Sequence, residues 1–197
     1  MTMIRKASYL AVLTTFAFAS AAHAQTTTTD TQRDVDQQQR IEQGLQSGQL
    51  TTHEAAKLEG GETKVDRLQT QALKNGSVSP AEQARIQKAQ NAESASIYNQ
   101  KHDAQSGHPD SASSKRMQAD VQRNVDQQAR INQGVKSGSL TTAEAARAEH
   151  GQARVNHKEA AAGANGHVGA GEQASIQHSE NTQSARIYHK KHNGVAS

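Results

Sequence analysis

One short device recurs four times in this chain and limits the fold more than any other feature. It runs Ser47-Gly48-Gln49-Leu50-Thr51-Thr52-His53-Glu54 and returns as Asn75-Gly76-Ser77-Val78-Ser79-Pro80-Ala81-Glu82. A third copy is Ser137-Gly138-Ser139-Leu140-Thr141-Thr142-Ala143-Glu144, and a worn fourth is Asn165-Gly166-His167-Val168-Gly169-Ala170-Gly171-Glu172. Each reads as the end of one helix and the start of the next. Glycine takes the left-handed conformation that terminates a helix without a side-chain penalty. Three residues on, Thr51, Ser79 or Thr141 can cap the following helix, and Glu54, Glu82 or Glu144 completes a capping box for amides otherwise left without acceptors. Pro80 falls at a first helical position, where its missing N–H costs nothing. Leu50, Val78, Leu140 and Val168 place one apolar anchor in each turn.

The turns belong to a larger duplication. Residues 32–102 align with 122–192 at a constant offset of 90, without a gap, so that Gln32-Arg33-x-Val35-Asp36-Gln37-Gln38 matches Gln122-Arg123-x-Val125-Asp126-Gln127-Gln128. Such internal repetition defines structural units. The punctuation divides the first copy into helices near 32–46, 51–74 and 80–101, and the second into helices near 121–136, 141–162 and 171–191. Short turns between helices predict antiparallel packing. The expectation is an all-α protein of two tandem three-helix units, residues 32–102 and 122–192. A flexible segment, 25–31, precedes them. A linker, 103–121, with Gly107, Pro109 and a serine run, separates them, and a tail, 193–197, follows. In the middle helix Leu58, Gly61, Val65, Leu68 and Ala72 form a heptad-like, coiled-coil stripe. The pair Gly60-Gly61 weakens that helix unless close packing needs a bare backbone. In the third, Ile86, Ala89 and Ile97 share a face. The second copy replaces Leu58, Leu68 and Leu73 by Ala148, Lys158 and Gly163, so it is expected to melt first.

Residues 1–24 have the organisation of a secretory signal peptide: Arg5 and Lys6, an apolar run from Tyr9 to Ala19, and Ala22-His23-Ala24 as a cleavage site. Export to the periplasm follows as an expectation, with no membrane span in the mature chain. Without the leader's two bases, 20 Lys and Arg face 19 Asp and Glu, and the aromatics that remain are Tyr98 and Tyr188. A near-neutral chain with no aromatic platform argues against nucleic acid and against a polybasic membrane contact. Cysteine is absent, so no disulfide supports the fold.

Three constellations bear on chemistry. The turns match the second half of a calcium-binding EF-hand loop (Gly76, Val78 and Glu82, or Gly48, Leu50 and Glu54). The early carboxylate positions, however, hold Gln71 and Leu73, or Gln43 and Leu45. Capping accounts for the same residues. Six histidines fall in the second copy, and His189 with His192, three apart, can share a helix face. His150, His157 and His178 could join them around copper, zinc or nickel, although polar drift on solvated helices explains them as well. The repeated Ile-Tyr-x-x-Lys-His places Tyr98 with His102 and Tyr188 with His192. The tyrosines are expected to staple the third helix to the bundle, with an interaction surface as the other reading. No phosphate loop, Gly-x-Ser-x-Gly or His-Glu-x-x-His pattern occurs, so no enzymatic activity is expected.

The pattern Arg-Ile-x-x-Gly-x-x-Ser-Gly-x-Leu-Thr-x-x-Glu-Ala, followed by Asn-Gly-x-Val and Ile-Tyr-x-x-Lys-His, resembles small exported proteobacterial proteins with one or two copies of this unit. It covers residues 40–102 and 130–192, and the resemblance implies export and repeat architecture alone. The expectation is therefore a non-enzymatic exported protein, without cofactor, that acts through helix–helix contacts with itself or an envelope partner. A periplasmic transition-metal-binding protein using the second-copy histidines is the rival.

Overall fold

Glycine punctuation sets the helix boundaries in the structure, a computed structural model that describes residues 18–193. The described residues form six α-helices: α1 (Phe18–Ser47), α2 (Thr52–Leu73), α3 (Pro80–Lys101), α4 (Ala112–Lys136), α5 (Thr142–Ala162) and α6 (Ala170–Lys191). No strand occurs among the described residues. Gly48, Gly76, Gly138 and Gly166 all take positive φ, between 72° and 85°. Complete capping boxes join Thr51 to Glu54, Ser79 to Glu82 and Thr141 to Glu144. In the fourth turn only the backbone half survives, the Gly169 N–H donating to Glu172. Much of the expected leader, residues 1–17, lies outside the described residues, as does most of the tail, 194–197. Residues 18–24 belong to α1.

Tertiary packing does not follow the copies. The largest helix–helix contact joins α2 to α5 and the next joins α1 to α4, each pair taking one helix from each copy. α3 lies on α1 and α2, and α6 lies in the same way on α4 and α5. Two separate three-helix units were expected; instead, one apolar cluster contains Ile41, Leu45, Leu58 and Ile97 of the first copy together with Val168 and Ile176 of the second. The expected flexible segment, 25–31, is helical, with Thr27, Asp30 and Thr31 buried. The expected linker, 103–121, is also structured. Its Gly107 N–H donates to the Gly48 carbonyl at 2.8 Å, Ser111 caps α4, and Met117 and Val121 are fully buried.

The substitutions that make the second copy look weak have structural partners. Gly163, in place of Leu73, admits the Met117 Cε, which would stand 2.6 Å from an added Cβ. Lys158, in place of Leu68, donates to the Ser175 carbonyl and hydroxyl. The tyrosines do not staple α3 and α6. Ile97 and Ile187 are fully buried and do so, while Tyr98 and Tyr188 remain about 60 % exposed. Each tyrosine stacks on the histidine four residues later, with ring centroids 4.2 Å apart.

Candidate functional site

The centre of the bundle is polar. Along α2 the apolar ends, Leu58 and then Ala72-Leu73, enclose Glu59, Glu62, Asp66 and Gln69, all buried. Along α5, Glu149, Gln152, Asn156 and Glu159 occupy the equivalent positions, also buried. Steps of three and four place such residues on one helix face, beside the heptad-like stripe, so the inward face of α2 is wider than its apolar residues indicate. α1 adds Asp30, Asp34, Gln37 and Gln38, and α4 adds Asp120, Asn124, Gln127 and Gln128. Gln90 and Glu93 from α3, with Glu180 and Gln183 from α6, close the two sides.

Hydrogen bonds in this interior follow the duplication. Gln38 donates to Glu59 and Gln128 to Glu149. Gln37 donates to the Gln90 carbonyl and Ser94, as Gln127 does to the Glu180 carbonyl and Ser184. Elsewhere the polarity reverses. In the first copy the acid Asp34 accepts from Gln69 at 2.7 Å, whereas in the second the amide Asn124 donates to Glu159. The second copy carries the neutral side chain at four positions, Asn124, Gln152, Asn156 and Gln183 for Asp34, Glu62, Asp66 and Glu93. Its amides supply hydrogen to acids of the first: Asn156 donates to Asp66 at 2.9 Å.

Three carboxylates converge from different helices. Asp34 of α1, Asp66 of α2 and Glu149 of α5 each bring one oxygen within 4.8 Å of the others, and all three are fully buried. Around them the donors are used and the acceptors are not. Gln69 donates to Asp34, and Gln128 donates to both Asp66 and Glu149, yet the amide oxygens of Gln69 and Gln128 meet no donor. Glu149 Oε1 and Glu62 Oε1 are likewise unpartnered. Among the described residues no lysine, arginine or histidine is buried. An interior rich in oxygen and poor in hydrogen is costly until protons or cations enter it.

Electrostatics follow from this arrangement. Burial raises Asp34 to about 7 against the hydrogen bonds of Gln69 and Gln90, and raises Glu59 to about 8. Glu62, Asp66, Glu149 and Glu159 are pushed well above the usual carboxylate range, by burial first and by neighbouring carboxylates next. Toward the sides, burial raises Glu93 and Asp120 to about 7 and Glu180 to about 8.

The histidines expected to share a metal are not gathered. His150 and His157 lie on the outer face of α5, His178 and His189 on that of α6, and His192 just beyond it, all exposed. Among the described residues the only group of three or more His, Asp or Glu side chains close enough for one ion contains no histidine. The Nδ1 atom of His192 instead meets the Tyr188 carbonyl at 2.7 Å, as that of His102 meets the Tyr98 carbonyl. The interior acids escaped the sequence reading because hydrophobicity was taken as the mark of burial. The usable signal was a second stripe of acids and amides, at positions 59, 62, 66 and 69, repeated 90 residues later. Compared with known proteins, the chain matches no family model, no curated protein and no solved structure.

Proposed function

We propose that this is a non-enzymatic binding protein that takes up a hard divalent cation, of the calcium class, between Asp34, Asp66 and Glu149. The observation that carries the reading is the convergence of three buried carboxylates beside amide oxygens that have no donor. Oxygen-only ligands favour calcium, magnesium or manganese over copper, zinc or nickel. Some point lies within about 2.8 Å of all three oxygens, given their 4.8 Å limit. A contraction of a few tenths of an ångström reaches the ~2.3–2.6 Å of calcium–oxygen bonds, whereas the ~2.0–2.1 Å of magnesium needs a larger collapse. Gln69 and Gln128 would add neutral ligands to the three carboxylates.

Helix docking onto a partner finds less support. The α2 stripe is used within the chain, where Leu58, Val65 and Ala72 are buried, and the large apolar side chains exposed among the described residues are Tyr98 and Tyr188. An exported location, which the leader implies, suits a calcium ligand set of modest affinity.

Calorimetry at pH 8 with calcium, magnesium and manganese tests the reading. Calcium binding is expected, lost in an Asp66→Asn, Glu149→Gln variant and kept in a His189→Ala, His192→Ala variant. The first variant removes buried charge, so its ion-free form should melt no lower than the parent. Absence of binding, or binding that survives the carboxylate substitutions, would reject the site.

A further inference from the structure

Thirteen of the 19 carboxylates are buried: Asp30, Asp34, Glu59, Glu62, Asp66, Glu93, Asp120, Glu149, Glu159 and Glu180 in the polar interior, together with Glu42, Glu54 and Glu144. None of the 20 Lys and Arg residues beyond the leader is buried. Solvent therefore meets twenty bases and six acids, and the near-neutral composition conceals a strongly cationic surface. Sequence charge argued against a polyanionic partner only because it counted both populations together.

Several of these bases line the cleft between α5 and α6. A groove of about 840 Å³ is lined by Arg147 and His150 of α5, Arg186 and Lys190 of α6, and Lys74 at the end of α2. It adjoins a second groove of about 290 Å³, which shares Arg186 and adds Arg154, Lys158 and His178. No acid and no Phe, Tyr or Trp lines either groove. The two ion pairs found among the described residues, Lys115–Asp110 and Arg123–Glu180, lie elsewhere. Glu144, the carboxylate acting on Lys190, is already bonded to Thr141 as a helix cap. From Arg147 to Lys158 the α5 wall runs about 16 Å at ~1.5 Å per residue.

Internal duplication provides a control within the same chain. At the positions 90 residues earlier, His150, Lys158, Arg186 and Lys190 are matched by Gly60, Leu68, Ser96 and Gln100, whereas Lys57 and Lys64 already match Arg147 and Arg154. The two copies hold nine Lys and Arg each, so these bases are redistributed toward the walls of one groove rather than added to the second copy as a whole.

We propose that this α5–α6 groove binds a linear polyphosphate chain through its charge. Guanidinium groups engage phosphate oxygens in bidentate fashion, and lysines add point charges. With no Phe, Tyr or Trp in the lining, the large stacking platforms usual at single-stranded nucleic-acid sites are missing, which favours a bare phosphate chain. A concave, elongated site also suits a chain better than the flat surface of a bilayer.

Fluorescence anisotropy or calorimetry with the full chain and inorganic polyphosphate tests the proposal. Binding is expected to weaken steeply with salt. An Arg147→Gln, Arg186→Gln, Lys190→Gln variant should weaken it by about tenfold or more, through loss of three phosphate contacts. The matched removal of three first-copy charges, Lys57→Gln, Lys64→Gln and Lys88→Gln, should change it by less than about twofold. Circular dichroism establishes that both variants are folded. No binding, equal losses in the two variants, or tighter binding of a single-stranded oligonucleotide or anionic vesicles of matched charge would each overturn the assignment.

Discussion

At Gly61 an added methyl group would stand 1.7 Å from a carboxylate oxygen of Glu93, whereas at Gly60 the nearest foreign atom is the Ala160 Cβ at 3.8 Å. The sequence puts Gly61, and not Gly60, in the heptad-like stripe, without showing how closely either is packed. Tertiary contact ranks them. Gly60→Ala is expected to stabilise the protein by about 0.5–1 kcal/mol, by reducing the freedom of the unfolded chain. Gly61→Ala must push a buried side chain aside and should cost about 1–3 kcal/mol. Urea denaturation of the two variants checks the opposite signs. The second-copy equivalent, Gly151, is crowded by Gln183 in the same way. Capping residues, by contrast, were readable one by one, because a cap is made with residues three positions away. Thr141→Ala should cost about 1 kcal/mol, measured in the same assay.

Among the elements, α2 and α5 each carry two inward stripes, one apolar and one made of acids and amides. The apolar stripe is legible from periodicity. The polar one is not, since a helical row of Glu, Asp and Gln ordinarily faces water, and only the neighbouring helices decide otherwise. Glu62 illustrates the cost. It is fully buried, its Oε1 has no donor, and after burial itself the carboxylates of Glu93, Asp34, Asp66 and Glu59 raise its pKa. Its equivalent in the second copy is already an amide, Gln152, which donates to Asn124 and Asn156. Glu62→Gln is therefore expected to raise stability by about 1–3 kcal/mol at pH 8 without divalent ions, and to have little effect at pH 4. Thermal melts at the two pH values check it, and destabilisation at pH 8 would contradict the account of the interior.

For the molecule as a whole, the same burial sets a direction for pH. Unfolded carboxylates titrate near ~4, while in the fold Glu93 and Asp120 are raised to about 7 and Glu59 and Glu180 to about 8. The native state therefore holds more protons than the unfolded chain across that window. This stability is fully present below the unfolded values and is lost as pH rises through the folded ones. Melting temperature without divalent ions should be higher at pH 4.5 than at pH 8.5, and the reverse order would show that the interior acids are not buried. Cooperativity is decided at this scale too. The clusters that join Ile41 to Ile176, and Leu73 to Ala145, draw on both copies. One unfolding transition, with comparable hydrogen-exchange protection in α2 and α5, replaces the expectation that the second copy melts first.

The sequence by itself determined the helical class, the ends of the helices from α2 onward apart from the start of α4 at Ala112, and the caps of α2, α3 and α5, because each depends on residues within one or two turns. It also carried the 90-residue offset, and with it the positions of the inward acids and amides, without indicating that they face inward. Only the tertiary structure decided that α1 pairs with α4 and α2 with α5, that residues 25–31 and 103–121 are built into the bundle, and that thirteen carboxylates leave the surface. Those outcomes depend on which faces meet across many residues of chain. No local spacing encodes that choice. From it follow both features on which the functional reading rests, the oxygen-rich interior and the uncompensated bases outside.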